Sequence, residues 1–397
     1  MNLSWGSCGG AWLSAGLPPV LTGKSPLRAS GRPASASRRP RYARGQVRLT
    51  KIGGLFLVLV LVGLVSCGKE GPQARAVDKP IRIGLSMDSF VVERWIRDRD
   101  IFVAEAQTLG AEVIVQVANQ DNDTQVEQIK SLANQNIDVL VVVPNDSTRI
   151  GPTVRLIRER GIPVISYDRL ILKGKTDLYI AHDHVGAGLL MGQAVVSSLA
   201  QKHRRGAFQL VIVNGARSDY NSALMNQGFH QKLDPLIQAG AVNVVKEIWL
   251  TAWSSEEAEK AFREALDSTG KRPDGVIAAN DLLAESLIRV LSQRSQLDGT
   301  LVTGMDADLA ACQRVIEGTQ TMTVYKPIAP LAIAAARYAV KLARHEPLDL
   351  KEFISDGEYQ IPYVKLQPVA VDRSNMKQVI VKEGFHRMEE VYRQPKR

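Results

Sequence analysis

Short apolar runs alternate with amphipathic segments from residue 81 onward. The first run, Ile81 to Met87, ends at the carboxylate of Asp88, and apolar side chains then recur at helical spacing through Phe102 and Ala106. A short apolar run of this kind is typical of a buried parallel strand, and the pattern after it is typical of a helix. Similar units recur roughly every 25 residues, as strand–helix connections in an α/β protein require.

The pattern predicts ten strands in two series of five. The first series is expected near residues 81–88, 112–118, 138–144, 162–168 and 177–182. The second series is expected near residues 208–214, 242–250, 275–279, 300–304 and 321–325. We therefore predict an α/β fold of two doubly wound parallel-sheet lobes rather than one very wide sheet, with the break near residues 182–186.

Polar or aromatic side chains follow most of the predicted strands. They are Asp88, Asp168, Asn221, Trp253, Asn280, Asp281, Asp306 and Lys326. Open α/β sheets bind ligands outside the carboxyl ends of their strands, so these positions predict two facing sheet edges rich in hydrogen-bonding groups. Asp and Asn also favour helix N-caps, which explains each of them singly. The set contains no nucleophile–base pair, and we predict that the protein is not an enzyme.

The first helix begins with an arginine beside a tryptophan, Arg94 and Trp95. A guanidinium fork next to a flat apolar ring suits a sugar, which has hydroxyls at its edge and C–H groups on its face. The alternative is a solvated arginine and a tryptophan of the core.

Residues 1–66 differ from the rest of the chain in charge. They contain nine basic residues and no Asp or Glu, and the first acidic residue is Glu70. Removing these nine from the 50 basic residues of the chain leaves 41, which equals the 41 acidic residues. The net charge of +9 therefore belongs to this leader and gives no reason to expect a nucleic-acid partner.

Residues 52–65 are apolar or glycine throughout, preceded by Arg48 and Lys51. This stretch is short for a membrane span and is typical of a signal-peptide core. It ends at Leu64-Val65-Ser66-Cys67, which resembles a bacterial lipobox. The resemblance implies that residues 1–66 are a leader and lipoprotein signal peptide and that Cys67 is lipidated.

A lipidated cysteine implies a protein on the periplasmic or extracellular face, anchored to a membrane. Residues 67–78, which are rich in small and charged side chains, are then expected to form a flexible tether. The alternatives are an ordinary secretory signal and an uncleaved anchor. Residues 1–46 are rich in Arg, Pro, Ser and Gly, and a normal short signal would begin near Val47.

The remaining chemistry-bearing motifs are weak. Of the three cysteines, Cys8 and Cys67 belong to the leader and its end, so Cys312 is expected to be a small buried side chain without a disulfide. Gly186 and Gly188 have the G-x-G spacing of a dinucleotide fingerprint, but the third glycine, Gly192, comes one residue too late. His182-Asp183-His184 could ligate a metal, but neighbouring side chains on an extended segment point to opposite sides, and no third ligand is apparent for the two histidines. We predict no metal and no cofactor.

Residues 79–388 resemble the D-xylose-binding proteins of bacterial sugar ABC transporters. The matching segments are Glu93-Arg94-Trp95, Asp98 to Val103, Tyr167-Asp168-Arg169, Asn280-Asp281, Asp306 to Ala310, Gly318 to Pro327 and Glu383 to His386. The resemblance implies two α/β lobes joined by three crossover strands, with the sugar between them. It places the amino lobe at 79–183 and 327–365, and the carboxyl lobe at 184–326 and 366–390.

The resemblance also implies the sugar-binding residues. They are Arg94, Trp95, Asp168, Arg169, Asn221, Trp253, Asn280, Asp306 and Lys326. Carboxylates would accept from the sugar hydroxyls, cationic groups would donate to them, the amides would do both, and the two tryptophans would sandwich the ring. Met87, Ser89, Phe90 and the segment Asp219-Tyr220-Asn221 depart from the family pattern, which bears on the preference among xylose, glucose and arabinose.

The expected function is capture of D-xylose, or a related aldopyranose, by lobe closure and delivery to a membrane permease. We expect a monomer. One alternative is a receptor that presents the closed form to a membrane histidine kinase, with the same fold and site. A sugar-responsive transcription regulator would need an amino-terminal helix-turn-helix, where residues 1–66 show a signal sequence instead.

Overall fold

The computed structural model describes residues 79–201 and 206–393. The predicted leader, the lipidation of Cys67 and the tether therefore lie outside the described residues. Within the described ranges, no helix has the length and apolarity that a membrane-spanning segment needs.

Strands and helices alternate through the first half of the chain. The strands are β1 Ile81–Met87, β2 Ala111–Val117, β3 Val139–Val142, β4 Val164–Tyr167, β5 Leu178–His182 and β6 Phe208–Ala216. The helices are α1 Arg94–Thr108, α2 Asn122–Ala133, α3 Gly151–Glu159, α4 His184–Gln201 and α5 Tyr220–Gln238. The predicted first five strands are all present.

The second half begins in the same way and ends in shorter strands. Its strands are β7 Val242–Leu250, β8 Gly275–Ala278, β9 Leu301–Val302, β10 Thr323–Tyr325, β11 Phe353–Ser355, β12 Gln360–Leu366 and β13 Val369–Val371. Its helices are α6 Ser255–Thr269, α7 Asp281–Gln293, α8 Leu309–Glu317, α9 Ile328–Ala343 and α10 Met388–Val391, with a π-helical segment at Lys377–Val381.

Two sheets organise these elements. A seven-stranded sheet has the order β11-β12-β5-β4-β3-β1-β2, and a four-stranded parallel sheet has the order β7-β6-β8-β9. In each sheet the first strand of the series lies between the second and third, which is the doubly wound arrangement. The predicted fold class is confirmed. We call the part built on the seven-stranded sheet the first lobe and the part built on the four-stranded sheet the second lobe.

The chain passes between the lobes three times. It leaves the first sheet after β5, returns after β10 through α9, whose apolar face packs into the first core, and leaves again between β12 and β13. Strand β12 joins the first sheet parallel to β5, with Tyr363 beside Tyr179. The sequence pattern missed β11 to β13 because β11 and β13 are short, all three strands are partly exposed, and no helix separates them.

The fifth strand of the second series differs from its prediction. Strand β10 pairs antiparallel with β13 and meets the segment that follows β9 through a parallel bridge from Met305 to Val324. On the partner side, the bridge at Met305 is followed at once by Asp306 and Ala307, whose φ angles are 98° and 55°. This left-handed backbone turns the chain out of the extended path that a fifth ladder requires.

Apolar packing fixes both sheets in place. The strands of the sheet centres are almost fully buried, as expected for parallel strands covered by helices on both faces. In the second lobe, α4 and α5 approach closely at Gly188 and Gly228, where a β-carbon would lie 2.1 Å from the Met225 carbonyl and 2.2 Å from the Val185 carbonyl. The glycines that follow β5 thus permit helix packing. Cys312 is buried and free, as predicted.

Candidate functional site

One cavity lies between the carboxyl ends of the two sheets. It contains about 310 Å³ of space between its lining atoms, little of it wide enough for a water molecule. All nine residues predicted to bind sugar line it and are buried: Arg94, Trp95, Asp168, Arg169, Asn221, Trp253, Asn280, Asp306 and Lys326. The lining side chains therefore fill most of this space, and the cavity is narrow.

Arg94 is held rigidly on the first-lobe side. Its Nε and one Nη each donate to a carboxylate oxygen of Asp98 at 2.9 Å, one turn along α1. Asp98 also accepts from the hydroxyl of Tyr167 at the end of β4. This bidentate pairing fixes the plane of the guanidinium and leaves the other Nη directed at Asp168, 3.2 Å away.

Two cations and two carboxylates alternate around the cavity. Asp168 lies 3.2 Å from Arg94 and 3.8 Å from Lys326, while Asp306 lies 3.2 Å from Lys326 and 3.9 Å from Arg94. Burial by itself would raise the pKa of Asp168, but Arg94 and Lys326 outweigh it and hold that pKa well below its usual value. The group has no net charge, and its members come from both lobes.

These charges retain unused hydrogen-bonding capacity. Arg94 Nη1, Asp168 Oδ1 and Asp306 Oδ1 are buried and have no hydrogen-bond partner within the described part of the chain. Their contacts are therefore electrostatic rather than directional hydrogen bonds. Buried polar atoms in folded proteins are nearly always hydrogen-bonded, so unpaired atoms that converge on one cavity point to a polar ligand.

Both cavity carboxylates are carried by left-handed backbone. Asp168 follows β4 with a φ of 59°, and Asp306 follows β9 with a φ of 98°. Such conformations cost on the order of 1–3 kcal/mol for a residue other than glycine and persist where the surrounding structure enforces them. Each turn directs a carboxylate into the space between the lobes.

A second group of charges crosses between the lobes beside the cavity. The guanidinium of Arg169 donates to Asp88 at 2.9 Å and lies 2.8 Å from Asp219 at the start of α5. Asp219 also accepts from the indole Nε1 of Trp253 at 3.1 Å. The Trp253 ring lies against Gly215, where a β-carbon would be 2.1 Å from it, so only glycine permits this ring position.

The other predicted residues have additional partners. Trp95 lies with its ring beneath the guanidinium groups of Arg94 and Arg169, 4.7 Å and 5.5 Å from the ring centre. Asn221 donates to the Asp168 carbonyl at 2.9 Å, another contact between lobes. Asn280 accepts from Leu283 N and caps α7, so the alternative explanation as a helix cap also holds for it.

Five cavity residues were not predicted from the sequence: Val92, His184, Asp219, Met225 and Met305. Asp219 follows β6 and could have been found by the strand-end argument that identified Asn221. The sequence marks His184 only as a weak candidate metal ligand. Among the described residues, no cluster of three or more metal-ligating side chains is suited to hold a metal ion.

Comparison with known proteins gives a consistent picture. Residues 83–347 match the periplasmic binding protein domain family. The chain is 37% identical over 335 residues to the D-xylose-binding periplasmic protein of Haemophilus influenzae, covering 84% of this chain and 98% of that protein. It is 36% identical over 313 residues to the D-xylose-binding periplasmic protein of Escherichia coli, covering 79% and 93%.

Solved structures share the fold. A carbohydrate transporter solute-binding protein from Chloroflexus aurantiacus, in complex with D-glucose, superimposes with a TM-score of 0.72 at 23% identity, covering 79% of this chain and 98% of that one. The Caulobacter myo-inositol binding protein gives a TM-score of 0.65 at 22% identity, covering 75% and 95%. The resemblance drawn from the sequence motifs is confirmed, and these relatives are solute-binding proteins, not enzymes.

Proposed function

Because the chain belongs to the periplasmic binding protein family, we propose that it captures D-xylose, or a closely related aldopyranose, between its two lobes and delivers it to the permease of a sugar ABC transporter. The observation that carries this proposal is the convergence of the nine predicted residues on one cavity between the lobes. The sensory alternative is not favoured by the two relatives named for xylose binding.

The polar chemistry of the cavity suits a sugar with hydroxyls around its edge. Asp168 and Asp306 offer acceptors, Arg94 and Lys326 offer donors, and each carboxylate alternates with a cation. A hydroxyl both donates and accepts, so it fits between a carboxylate and a cation and satisfies both. Charge-assisted hydrogen bonds of this kind are stronger than neutral ones, which favours tight binding of a small uncharged ligand.

Two indole rings contribute apolar surface. Trp95 comes from the first lobe and Trp253 from the second, and both line the cavity. We propose that they cover the C–H faces of the sugar ring, while the charged groups take its edge. The Arg94 and Arg169 guanidinium groups over Trp95 hold that ring in place from the polar side.

Ligand capture then follows from lobe closure. Arg169 and Asp219, Asn221 and Asp168, and Lys326 and Asp168 are contacts that exist only when the lobes are together. A sugar bound to both lobes adds further contacts to the closed form alone and shifts the equilibrium toward it. We propose that the permease recognises this closed form.

The proposal includes a lipid anchor at Cys67, which rests on the Leu64-Val65-Ser66-Cys67 sequence. Cys67→Ala expressed in a bacterial host is expected to yield unprocessed or soluble protein, while the wild type fractionates with membranes and carries lipid on its new amino terminus. Mass spectrometry of the wild-type terminus tests this. A wild-type protein that is free of lipid would remove the anchor from the proposal and leave sugar binding untouched.

Isothermal titration calorimetry of the purified protein tests the binding function directly. Xylose, glucose, arabinose and ribose are titrated separately, and we expect saturable one-to-one binding, with xylose tightest. Sugar acids and disaccharides serve as negative ligands because the small, charge-balanced cavity offers them neither a free cation nor room. Absence of binding to every aldopyranose tested would refute the proposal.

A further inference from the structure

His184 lines the same cavity but belongs to none of the motifs that led to it. It is the first residue of α4, directly after the chain leaves the first sheet, and it is 2% exposed. The side chain of Asp183 accepts from Gly186 N at 2.8 Å, which fixes the start of the helix. The imidazole is therefore held at the cavity wall by the crossover itself.

Neither ring nitrogen of His184 has a hydrogen-bond partner among the described residues. A buried polar group without a partner is uncommon, because losing hydration without compensation is unfavourable. Burial, followed by the nearby charge of Lys326, lowers the pKa of His184 to about 3. The ring is thus neutral near pH 7, with one nitrogen donating and the other accepting.

We propose that His184 is a further specificity-determining residue, which hydrogen-bonds a hydroxyl of the bound sugar through one ring nitrogen. This inference rests on the proposed function and adds a neutral contact to the charged ones. Near it lie Lys326 and Asp168, which already flank the cavity. A neutral group that both donates and accepts can pair with a hydroxyl in either sense, and it rejects an analogue that lacks that hydroxyl.

His182 provides a matched control. It is the last residue of β5, it is fully buried, and its ring nitrogens are also without a partner among the described residues. It does not line the cavity. Alanine at either position removes an imidazole from the same crossover, so a difference between the two variants isolates contact with the ligand from loss of local packing.

The binding experiment uses calorimetry with xylose on His184→Ala, His184→Asn, His184→Gln and His182→Ala. His184→Ala is expected to bind roughly 5- to 30-fold more weakly than wild type, because it leaves a buried sugar hydroxyl unpaired, and His182→Ala is expected to stay within about threefold. The Asn amide reaches the Nδ1 position and the Gln amide the Nε2 position. Recovery in one of them supports the proposal and identifies the nitrogen involved.

A second measurement on the wild-type protein needs no variant to fold. The protein has six histidines, and ¹⁵N-labelled imidazoles report their tautomers and hydrogen bonds by nuclear magnetic resonance. Saturating xylose is expected to shift the ring nitrogens of His184 more than those of His182. Unmoved His184 signals, or His184→Ala binding within twofold of wild type, would overturn the proposal. A wild-type protein that binds no sugar would overturn both the proposed function and the role of His184.

Discussion

Replacing Asp306 tests how the cavity recognises hydroxyls. Its carboxylate is buried, lies 3.2 Å from Lys326 Nζ and has an oxygen without a directional hydrogen bond among the described residues. Asp306→Asn keeps the shape and an acceptor but removes the charge. Asp306→Ala removes the charge and the acceptor, and Asp168, 3.8 Å from Lys326 Nζ, is then the carboxylate that remains near that lysine. The two variants therefore separate the charge from the hydrogen bond.

The expected losses differ in size. A hydrogen bond to a charged group contributes about 1.5–3 kcal/mol and a neutral one about 0.5–1.5, so Asp306→Asn should cost roughly 1–1.5 kcal/mol, or about 5- to 12-fold in xylose affinity. Asp306→Ala also strands the sugar hydroxyl in a dry cavity. We expect about 2–4 kcal/mol for it, or roughly 30- to 1000-fold.

Calorimetric titration with xylose, glucose and ribose measures both the loss and the discrimination among sugars. Discrimination should narrow in Asp306→Ala, because a site that pairs each hydroxyl rejects analogues that leave groups unpaired. Asp308→Asn, two residues along and outside the cavity, is the control. Burial and the nearby Asp281 raise the pKa of Asp308 to about 9, so at pH 7 the substitution replaces one neutral group with another.

Two results would refute this reasoning. Xylose affinity within threefold of wild type in Asp306→Ala would mean that the carboxylate does not contact the sugar. An equal loss in Asp308→Asn would mean that the whole loop, rather than the Asp306 carboxylate, is responsible. Thermal unfolding of each variant without sugar separates a folding defect from a binding defect.

Three further predictions follow from other parts of the structure. Trp253→Ala should weaken the binding of all pyranoses evenly, by about 1–3 kcal/mol for lost apolar contact, and a loss of discrimination among sugars would contradict this. Trp249→Ala, near the end of β7 and outside the cavity, is the control and should leave calorimetric affinities unchanged. Xylose should reduce the radius of gyration in small-angle scattering, and identical curves at saturation would argue against lobe closure. Burial raises the pKa of Asp281 to about 7 and that of Asp308 to about 9, so the folded state holds protons that the unfolded state releases above about pH 4. The free energy of unfolding should therefore fall as pH rises from about 5 to 9. In urea unfolding, Asp308→Asn should show a smaller fall than wild type, and an equal fall would exclude Asp308 as one of the groups responsible.

The amino-acid sequence by itself determined the order of strands and helices through β10. Buried parallel strands are short apolar runs, and the residue after each run, such as Asp168 or Asp306, is placed at the carboxyl edge of a sheet by chain direction alone. Motif resemblance then selected nine residues, and the structure brings all nine to one cavity. Their roles toward a sugar stay a prediction until binding is measured.

Only the tertiary structure decided which charges meet. Arg94 lies 3.9 Å from Asp306 because the two lobes face each other, and the periodicity of the sequence does not predict this contact. The left-handed backbone of Asp168 and Asp306, the departure of β10 from the parallel sheet and the direction of His184 depend on the same packing. Local sequence sets what each segment can form, whereas contacts between distant segments set where its last residue points.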